Sequence, residues 1–520
     1  MATHSSLRDS SLLAGPRLRR IAVALPAALA FAYALAHLDW YLGTPLGRVP
    51  VLDERENIDL AGSLFGGTLP LEPFYRAPGY ALVLCLLRAA GVAQSGLFPA
   101  ALVLGVALHA ANAALAARLA LRWFGSGAAL AAGLLVALDP VLVHFATQAL
   151  DATLGLTLFL LGTDFLAGAV AAPERTGPWA AAGLSWAAAT LVRPNYLFPW
   201  LVLPVIAVLG GPGRGRRTAS ALGTGALLFG AAALWQWSLV GVAGFLPWQG
   251  PYNLWAANRP GANGRYYAQQ VSLSPALART NPARAESIHL YEKETGGPAD
   301  IKAMNAYWRH RFLAEVEAHP LRWAALEARK AYALVNNWEQ YNNKTYAFHK
   351  ARSPWLRWNP IGWGVLFMLG VAGAARLGFE SPRSAAALGA VAAAVALSIL
   401  LFFASARFRL PLVGLLGALS GGALARPGFW VAWPARRRTG LGLAVALAGL
   451  LAFTRFGGVD DRSTFVQDHA LLARAAYTVG DDATALAEAR EALKLQPRHP
   501  DAAAIAREAE AELAKKGAAP

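Results

Sequence analysis

A pair of acidic residues, Asp53 and Glu54, follows the first membrane-length apolar run, and an aromatic and basic element with Tyr75 and Arg76 lies about twenty residues later. An ionisable group at the mouth of a membrane bundle is costly to keep there, so the acidic pair indicates a functional site. A second acid, Asp151, lies where one apolar segment ends and the next begins. Both aspartates also qualify as helix N-caps, a role that is compatible with catalysis.

Arginines near other apolar segments have the spacing and neighbours that suit phosphate binding. Arg407 and Arg409 flank Phe408 at the start of an apolar segment. Two guanidinium groups so close in sequence can grip a phosphate in forked geometry. The alternative is that they snorkel to lipid headgroups and anchor the helix end. Arg193, which precedes Pro194, suits the same two interpretations.

A polar segment, 245–357, is rich in tryptophan, tyrosine and asparagine and predicts a helical insert outside the membrane. Its aromatic residues can be interfacial belt residues or a surface on which sugars stack. Near its end, Asn337 and Glu339 lie in a polar and aromatic run. That run offers hydrogen-bonding groups to a hydroxylated substrate, or it is a turn rich in asparagine.

Composition indicates the elements that must position these residues. The chain has 520 residues, of which 56% are hydrophobic and 15% charged, too apolar for an average soluble protein. A spanning helix needs roughly 20 apolar residues, which predicts an all-α, polytopic transmembrane bundle of about eleven helices: 20–39, 98–121, 128–147, 151–171, 178–193, 195–210, 219–244, 359–376, 384–404, 409–425 and 439–455. Asp139-Pro140 interrupts the third, where proline predicts a kink with the acid satisfied locally.

Charge orients the bundle. The net charge of +16 falls largely in short arginine clusters beside apolar segments, which indicates the positive-inside rule rather than a nucleic-acid partner. The predicted order is a cytoplasmic tail (1–19), a first transmembrane module (20–244) with an outward loop (40–97), the outward insert (245–357), further transmembrane helices (358–457) and an outward tail (458–520). Segment 78–91 is short for a span and is predicted to be interfacial or re-entrant.

The tail differs in kind from the rest of the chain. Residues 463–516 are alanine-rich, charged and helical, with small residues and a proline spaced as in a tetratricopeptide repeat of about 34 residues. One such repeat cannot bury a core alone. We therefore expect the tail to dock on the neighbouring domain or on a protein partner.

Several motifs are absent from the sequence. It contains no phosphate-binding glycine loop ending in Lys-Ser/Thr, no glycine-rich dinucleotide motif and no His-Glu-x-x-His. An ATP-driven pump and a membrane zinc protease are therefore disfavoured.

The ordered series of these elements over roughly residues 20–455 resembles the membrane-embedded GT-C glycosyltransferases, in particular the family 39-like bacterial members related to protein O-mannosyltransferases and aminoarabinose transferases. The resemblance implies transfer of a hexosyl or pentosyl group, with inversion, from a polyprenyl-phosphate donor to a protein, lipid or glycan acceptor. It also implies a multi-pass protein of the bacterial inner membrane whose active site faces the periplasm. The competing hypotheses are a transporter or flippase of lipid-linked glycan, which should show internal repeats, and a scaffold.

The resemblance also implies roles for individual residues. Asp53 would be the general base that takes the proton of the acceptor, and Asp151 would orient the acceptor or share that work. The arginines would neutralise the leaving phosphate. The expected substrate-binding residues are Glu54, Tyr75, Arg76, Arg193, Asn337, Glu339, Arg407 and Arg409. A single aspartate at the second acidic position leaves a divalent-metal role open.

Overall fold

The structure is a computed structural model that describes residues 15–68, 72–209, 213–271, 281–358, 361–459 and 464–517. Within those residues every regular element is a helix, which confirms the predicted all-α fold. The chain begins with one long helix and three shorter ones: α1 (Pro16–Leu42), α2 (Pro45–Arg48), α3 (Asp53–Phe65) and α4 (Gly79–Ala89). α4 has 11 residues, and a rise of about 1.5 Å per residue leaves it far short of a bilayer core of about 30 Å. It agrees with the prediction that 78–91 does not span.

The bundle is then built from helices on either side of the insert. The first group is α5 (Leu97–Phe124), α6 (Ser126–Ala137), α7 (Pro140–Ala146), α8 (Asp151–Ala171), α9 (Thr176–Val192), α10 (Leu197–Leu209) and α11 (Arg214–Val240). The insert contains α12 (Gly250–Asn258), α13 (Pro282–Thr295), α14 (Ile301–Ala318), α15 (Pro320–Val335), α16 (Tyr346–Arg352) and α17 (Pro354–Arg357). The second group is α18 (Trp363–Glu380), α19 (Pro382–Leu401), α20 (Ala406–Ala425) and α21 (Ala435–Phe453).

The described part of the chain has seven helices that are long and apolar enough to cross a membrane, or eight if α6 and α7 form one broken span. The other three segments predicted to span are also helical, but α9 has 17 residues, α10 has 13, and α21 begins with three successive arginines after its first residue. The protein is thus a multi-pass membrane protein. Each of the eleven predicted spans corresponds to one helix of the structure or, for 128–147, to the pair α6 and α7.

The break between α6 and α7 has a local cause. The two helices meet at an angle of 57°, and Pro140 is the first residue of α7, where its missing N–H costs least. The Asp139 carboxylate accepts hydrogen bonds from the backbone N–H groups of Val141 and Leu142. The predicted kink with a locally satisfied acid is confirmed.

Glycines let the helices of the bundle approach closely. A Cβ atom at Gly105, Gly183 or Gly373 would lie within 2.0 Å of a backbone carbonyl oxygen of Ala146, Ala221 or Leu419, respectively. Close backbone packing of this kind holds membrane helices together where no hydrophobic force acts between them. The scaffold that carries the site is therefore tightly packed.

Three further helices form the tail: α22 (Phe465–Thr478), α23 (Asp482–Leu495) and α24 (Pro500–Lys515). Gly480, with φ of 78°, and Asp481, which caps α23, make the turn between the first two helices. Alanine and leucine side chains pack between the helices, and Leu472 and Ala475 of α22 join the core of the membrane bundle. The tail is therefore docked on the body of the protein. Its tetratricopeptide identity and its protein partner stay predictions.

Candidate functional site

The Asp53 carboxylate lies between two guanidinium groups. Nη2 of Arg76 donates to its Oδ1 at 2.6 Å, and Nη1 of Arg407 donates to its Oδ2 at 2.8 Å. Burial alone would raise the pKa of Asp53, but the two arginines together hold it well below its usual range. Asp53 is therefore an ionised carboxylate at neutral pH.

The backbone immediately before Asp53 is strained. Leu52 has φ of 50° and ψ of −125°, and it is the one non-glycine residue with positive φ in the described ranges. Such a conformation costs on the order of 1–3 kcal/mol and persists only where the surroundings impose it. The strained turn starts α3 at Asp53 and so fixes the position of this carboxylate.

A buried ion pair lies beside Asp53. Nζ of Lys344 donates to Glu54 Oε2 and to the hydroxyl of Tyr41, both at 2.7 Å. The backbone N–H of Ala149 donates to the other Glu54 oxygen at 3.2 Å. Burial lowers the pKa of Lys344, and Glu54 opposes that shift. The Glu54 carboxylate thus has partners within the protein and anchors the Lys344 segment, and its contact with a substrate stays a prediction.

Arg76 and Tyr75 connect α3 to the insert. Nε of Arg76 donates to Glu56, and the Asn281 amide donates to the other Glu56 oxygen at 2.8 Å. The hydroxyl of Tyr75 donates to Oδ1 of Asn281 at 3.3 Å. The structure therefore brings Tyr75 and Arg76 to the Asp53 site, as expected, and adds Glu56 to it.

The second acid lies next to Arg193. Nε of Arg193 is 3.6 Å from Asp151 Oδ2, and its Nη1 donates to the backbone carbonyl of Arg407 at 3.2 Å. The Arg193 guanidinium also lies over the Phe408 ring, 4.6 Å from its centroid. Contacts therefore run from Asp53 through Arg407 and Arg193 to Asp151, so these four predicted residues form one cluster.

Two polar atoms of this cluster lack a hydrogen-bond partner within the described part of the chain: Oδ1 of Asp151 and Nε of Arg407. Buried polar atoms are rarely left unpaired, so both atoms have hydrogen-bonding capacity that the described residues do not satisfy. Their side chains are 26% and 12% exposed, respectively, and that of Arg76 is 24% exposed. The cluster can therefore be reached from outside.

The structure does not form the predicted fork of Arg407 and Arg409. Residues two apart on a helix do not face each other, and Arg409 of α20 points to the opposite side. There it forms an ion pair with Glu339 at 2.5 Å and donates to the Asn336 carbonyl at 2.6 Å. Its guanidinium also stacks on Trp363. Arg409 and Glu339 thus have partners within the protein, and their contact with a substrate stays a prediction.

Asn337 is likewise not brought to Asp53. Its side-chain oxygen accepts from the backbone N–H of Gly364 at 2.8 Å, at the start of α18, and its own N–H donates to the Ala452 carbonyl. These bonds tie the end of the insert to two membrane helices. Asn337 thus caps the start of α18, and its contact with a substrate stays a prediction.

The residues at the site do not fit a divalent metal ion. Among the residues that the structure describes, no group of three His, Cys, Asp or Glu side chains could hold one. Both oxygens of Asp53 accept hydrogen bonds from arginines, whose positive charges also repel a cation. We therefore derive no step through a metal.

This geometry predicts that activity does not depend on a divalent cation. Turnover measured after exhaustive treatment with a chelator is expected to equal that of the untreated protein. A loss that magnesium or manganese restores would contradict the prediction.

The low pKa of Asp53 predicts how stability changes with pH. A depressed pKa contributes stability above the unfolded-state pKa, about 3.9 for aspartate, and this contribution is lost as pH falls toward the folded-state pKa. The difference in unfolding free energy between the wild type and Asp53→Asn should therefore be largest near pH 7 and shrink below about pH 4. Denaturant unfolding in detergent across that range tests it, and a difference that grows on acidification would contradict it.

The tail reaches the site through Asp468 of α22. One oxygen of this buried carboxylate accepts from the Thr345 backbone N–H at 2.8 Å, and the other accepts from the Thr345 hydroxyl. Thr345 follows Lys344, and the side chain of Asn343, on the other side of Lys344, helps to lower the pKa of Asp53. Docking of the tail therefore holds the 343–345 segment against Asp53 and Glu54.

Replacing Asp468 with alanine is expected to lower the unfolding free energy by about 1–3 kcal/mol, because two buried donors lose their acceptor. Turnover should fall as well, since the 343–345 segment is no longer held. Asp501→Ala is the matched control, because Asp501 lies in the same tail but is 68% exposed and 3.4 Å from Arg474. Equal effects of the two substitutions on stability and turnover would contradict the role of Asp468.

The chain is similar to solved structures at low sequence identity. One is the oligosaccharyltransferase of Archaeoglobus fulgidus in the apo form, at 12% sequence identity and a TM-score of 0.43, covering 86% of this chain and 57% of that one. Another is ArnT from Cupriavidus metallidurans bound to undecaprenyl phosphate, at 17% identity and a TM-score of 0.33, covering 78% of each chain. The chain thus spans less than two thirds of the length of the oligosaccharyltransferase. No family model and no curated protein matches the sequence.

Proposed function

We propose that this protein is an inverting glycosyltransferase that moves a sugar from a polyprenyl-phosphate donor to an acceptor at the periplasmic face of a bacterial inner membrane. The observation that carries the proposal is the Asp53 carboxylate held between Arg76 and Arg407, with Arg193 and Asp151 in the same cluster. A base for the acceptor and fixed positive charge for the leaving phosphate are the two groups that this reaction needs. The order of the motifs along the sequence, which resembles that of the GT-C glycosyltransferases, supports the same proposal.

In the proposed reaction, Asp53 takes the proton of the acceptor as the acceptor atom attacks the anomeric carbon. The bond from that carbon to the phosphate oxygen breaks, and the electron pair leaves with the polyprenyl phosphate. One displacement of this kind inverts the anomeric centre. Arg407 and Arg193 face the developing phosphate charge, where preorganised donors stabilise the transition state most. Asp151 positions the acceptor through its unpaired oxygen.

Arg407 couples donor binding to the strength of the base. It now bonds to Asp53, and a bound phosphate would compete for the same guanidinium. Loss of this contact removes one of the two charges that depress the pKa of Asp53, so the carboxylate becomes a better proton acceptor when the donor is present. Arg76, which is also held by Glu56, keeps Asp53 in place throughout.

A mass-spectrometric assay tests the proposal. Purified full-length protein is incubated with a panel of polyprenyl-phosphate hexoses and pentoses together with protein, lipid and glycan acceptor fractions from a bacterial envelope. The expected result is release of polyprenyl phosphate and an acceptor that gains the mass of one glycosyl residue. Translocation of an unaltered donor across liposomes, without release from any donor, would contradict the proposal and favour the flippase.

A further inference from the structure

A basic cleft of about 550 Å³ lies between the start of α1 and the end of α5. Four arginines line it, Arg19 and Arg20 from α1 and Arg118 and Arg122 from α5, above an apolar surface that includes Val23 and Leu121. None of these residues contributes to the Asp53 cluster. The cleft is thus a separate feature of the bundle.

The cleft lies at the membrane interface opposite the Asp53 site. Tyr41, near the other end of α1, contacts Lys344 in the site. Tyr41 lies 21 positions after Arg20, which corresponds to about 32 Å of helix at about 1.5 Å per residue, close to the thickness of a bilayer core. The arginines of the cleft therefore reach the headgroup layer of the other leaflet, which the positive-inside pattern assigns to the cytoplasm.

The charge of the cleft is only partly neutralised. Nη2 of Arg118 donates to Oδ2 of Asp164 at 2.9 Å, and Nε of Arg122 donates to its Oδ1 at 2.6 Å. Asp164 is fully buried and holds these two side chains in place, although they stay 51% and 39% exposed. Arg19 and Arg20 are exposed and form no ion pair within the described ranges. One carboxylate thus faces four guanidinium groups.

We propose that this cleft binds an anionic phospholipid of the cytoplasmic leaflet. Guanidinium groups form strong, geometrically matched hydrogen bonds with phosphate oxygens, and basic pockets between membrane helices suit such headgroups. The apolar surface below the arginines gives the acyl chains a place to pack, which a free anion would not use. The excess of positive charge favours a headgroup with two phosphates, and the buried Asp164 keeps half of the binding groups ordered before the lipid arrives.

Native mass spectrometry of the full-length protein in a mild detergent tests the proposal, with tetraoleoyl cardiolipin as the probe and phosphatidylcholine as the neutral comparison. The wild type is expected to retain cardiolipin preferentially. Arg19→Gln/Arg20→Gln should weaken retention about thirtyfold. Each interfacial arginine contributes about 1 kcal/mol to binding of an anionic headgroup, and loss of about 2 kcal/mol corresponds to that factor. The matched control is Arg436→Gln/Arg438→Gln, because these exposed arginines lie at the start of α21, outside the cleft, and it should leave retention unchanged.

Three outcomes would overturn the proposal. Equal losses in the two double variants would mean that the lipid follows the general surface charge. Equal retention of phosphatidylcholine would mean that the arginines do not select the headgroup, and displacement by inorganic phosphate would identify a free-anion site. Gel filtration and the melting temperature of each variant show that it is folded, and the glycosyl-transfer assay does not enter the test.

Discussion

Replacing Asp53 with asparagine is expected to lower turnover by about 10²–10⁴-fold, the contribution typical of a positioned general base. The amide keeps the shape of the carboxylate but cannot take the proton of the acceptor. Binding of the donor lipid should persist, because Arg407 loses its carboxylate partner and stays available to phosphate. Single-turnover rates and equilibrium binding of the polyprenyl phosphate, measured on the same preparation, separate the two effects.

The matched control for this substitution is Asp59→Asn. Asp59 lies on the same helix, α3, but its side chain is 67% exposed and lies 3.6 Å from Arg55, itself an exposed residue. Such a surface pair contributes little, so the control should retain wild-type turnover. Loss of donor binding by Asp53→Asn, or equal losses of turnover in both variants, would contradict the role of Asp53 as the base.

Replacing Lys344 with methionine is expected to lower the unfolding free energy by about 3–5 kcal/mol, the cost of removing one partner of a buried ion pair. Glu54 would be left 1% exposed without its charged partner. Desolvation makes an unpaired buried carboxylate unfavourable, so the folded state loses stability. Denaturant unfolding in detergent at neutral pH measures the change.

Two variants complete the measurement. Lys494→Met removes a lysine from an exposed pair with Glu491 and should change stability by less than about 0.5 kcal/mol. Glu54→Gln/Lys344→Met removes both charges and should recover much of the lost stability, because replacing a whole buried pair is often nearly neutral. A Lys344→Met variant as stable as Lys494→Met would show that the pair does not hold the site together.

The sequence was sufficient for the parts of the structure that depend on local pattern. Apolar runs located the helices, and Asp139-Pro140 located the break between α6 and α7. Asp53, Asp151, Arg193 and Arg407 were found because each lies at the end of an apolar segment. Successive helices cross the bundle in opposite directions, so helix ends at every second connection lie at the same face. These four residues lie at such ends and form one cluster.

The rest depends on contacts that no local pattern encodes. Glu54 and Lys344 are 290 residues apart, and Lys344 lies in an insert without a regular apolar period. The docking of Asp468 on Thr345 joins the tail to that same segment. The fork of Arg407 and Arg409 does not form, because side chains two residues apart on a helix point in different directions.

The most direct test of the account is a structure of the full-length protein with a bound polyprenyl phosphate. The account predicts that the phosphate lies against the guanidinium groups of Arg407 and Arg193, and that Arg407 has moved away from the Asp53 carboxylate. A phosphate bound at another place in the bundle, with the Arg407 to Asp53 ion pair intact, would contradict it.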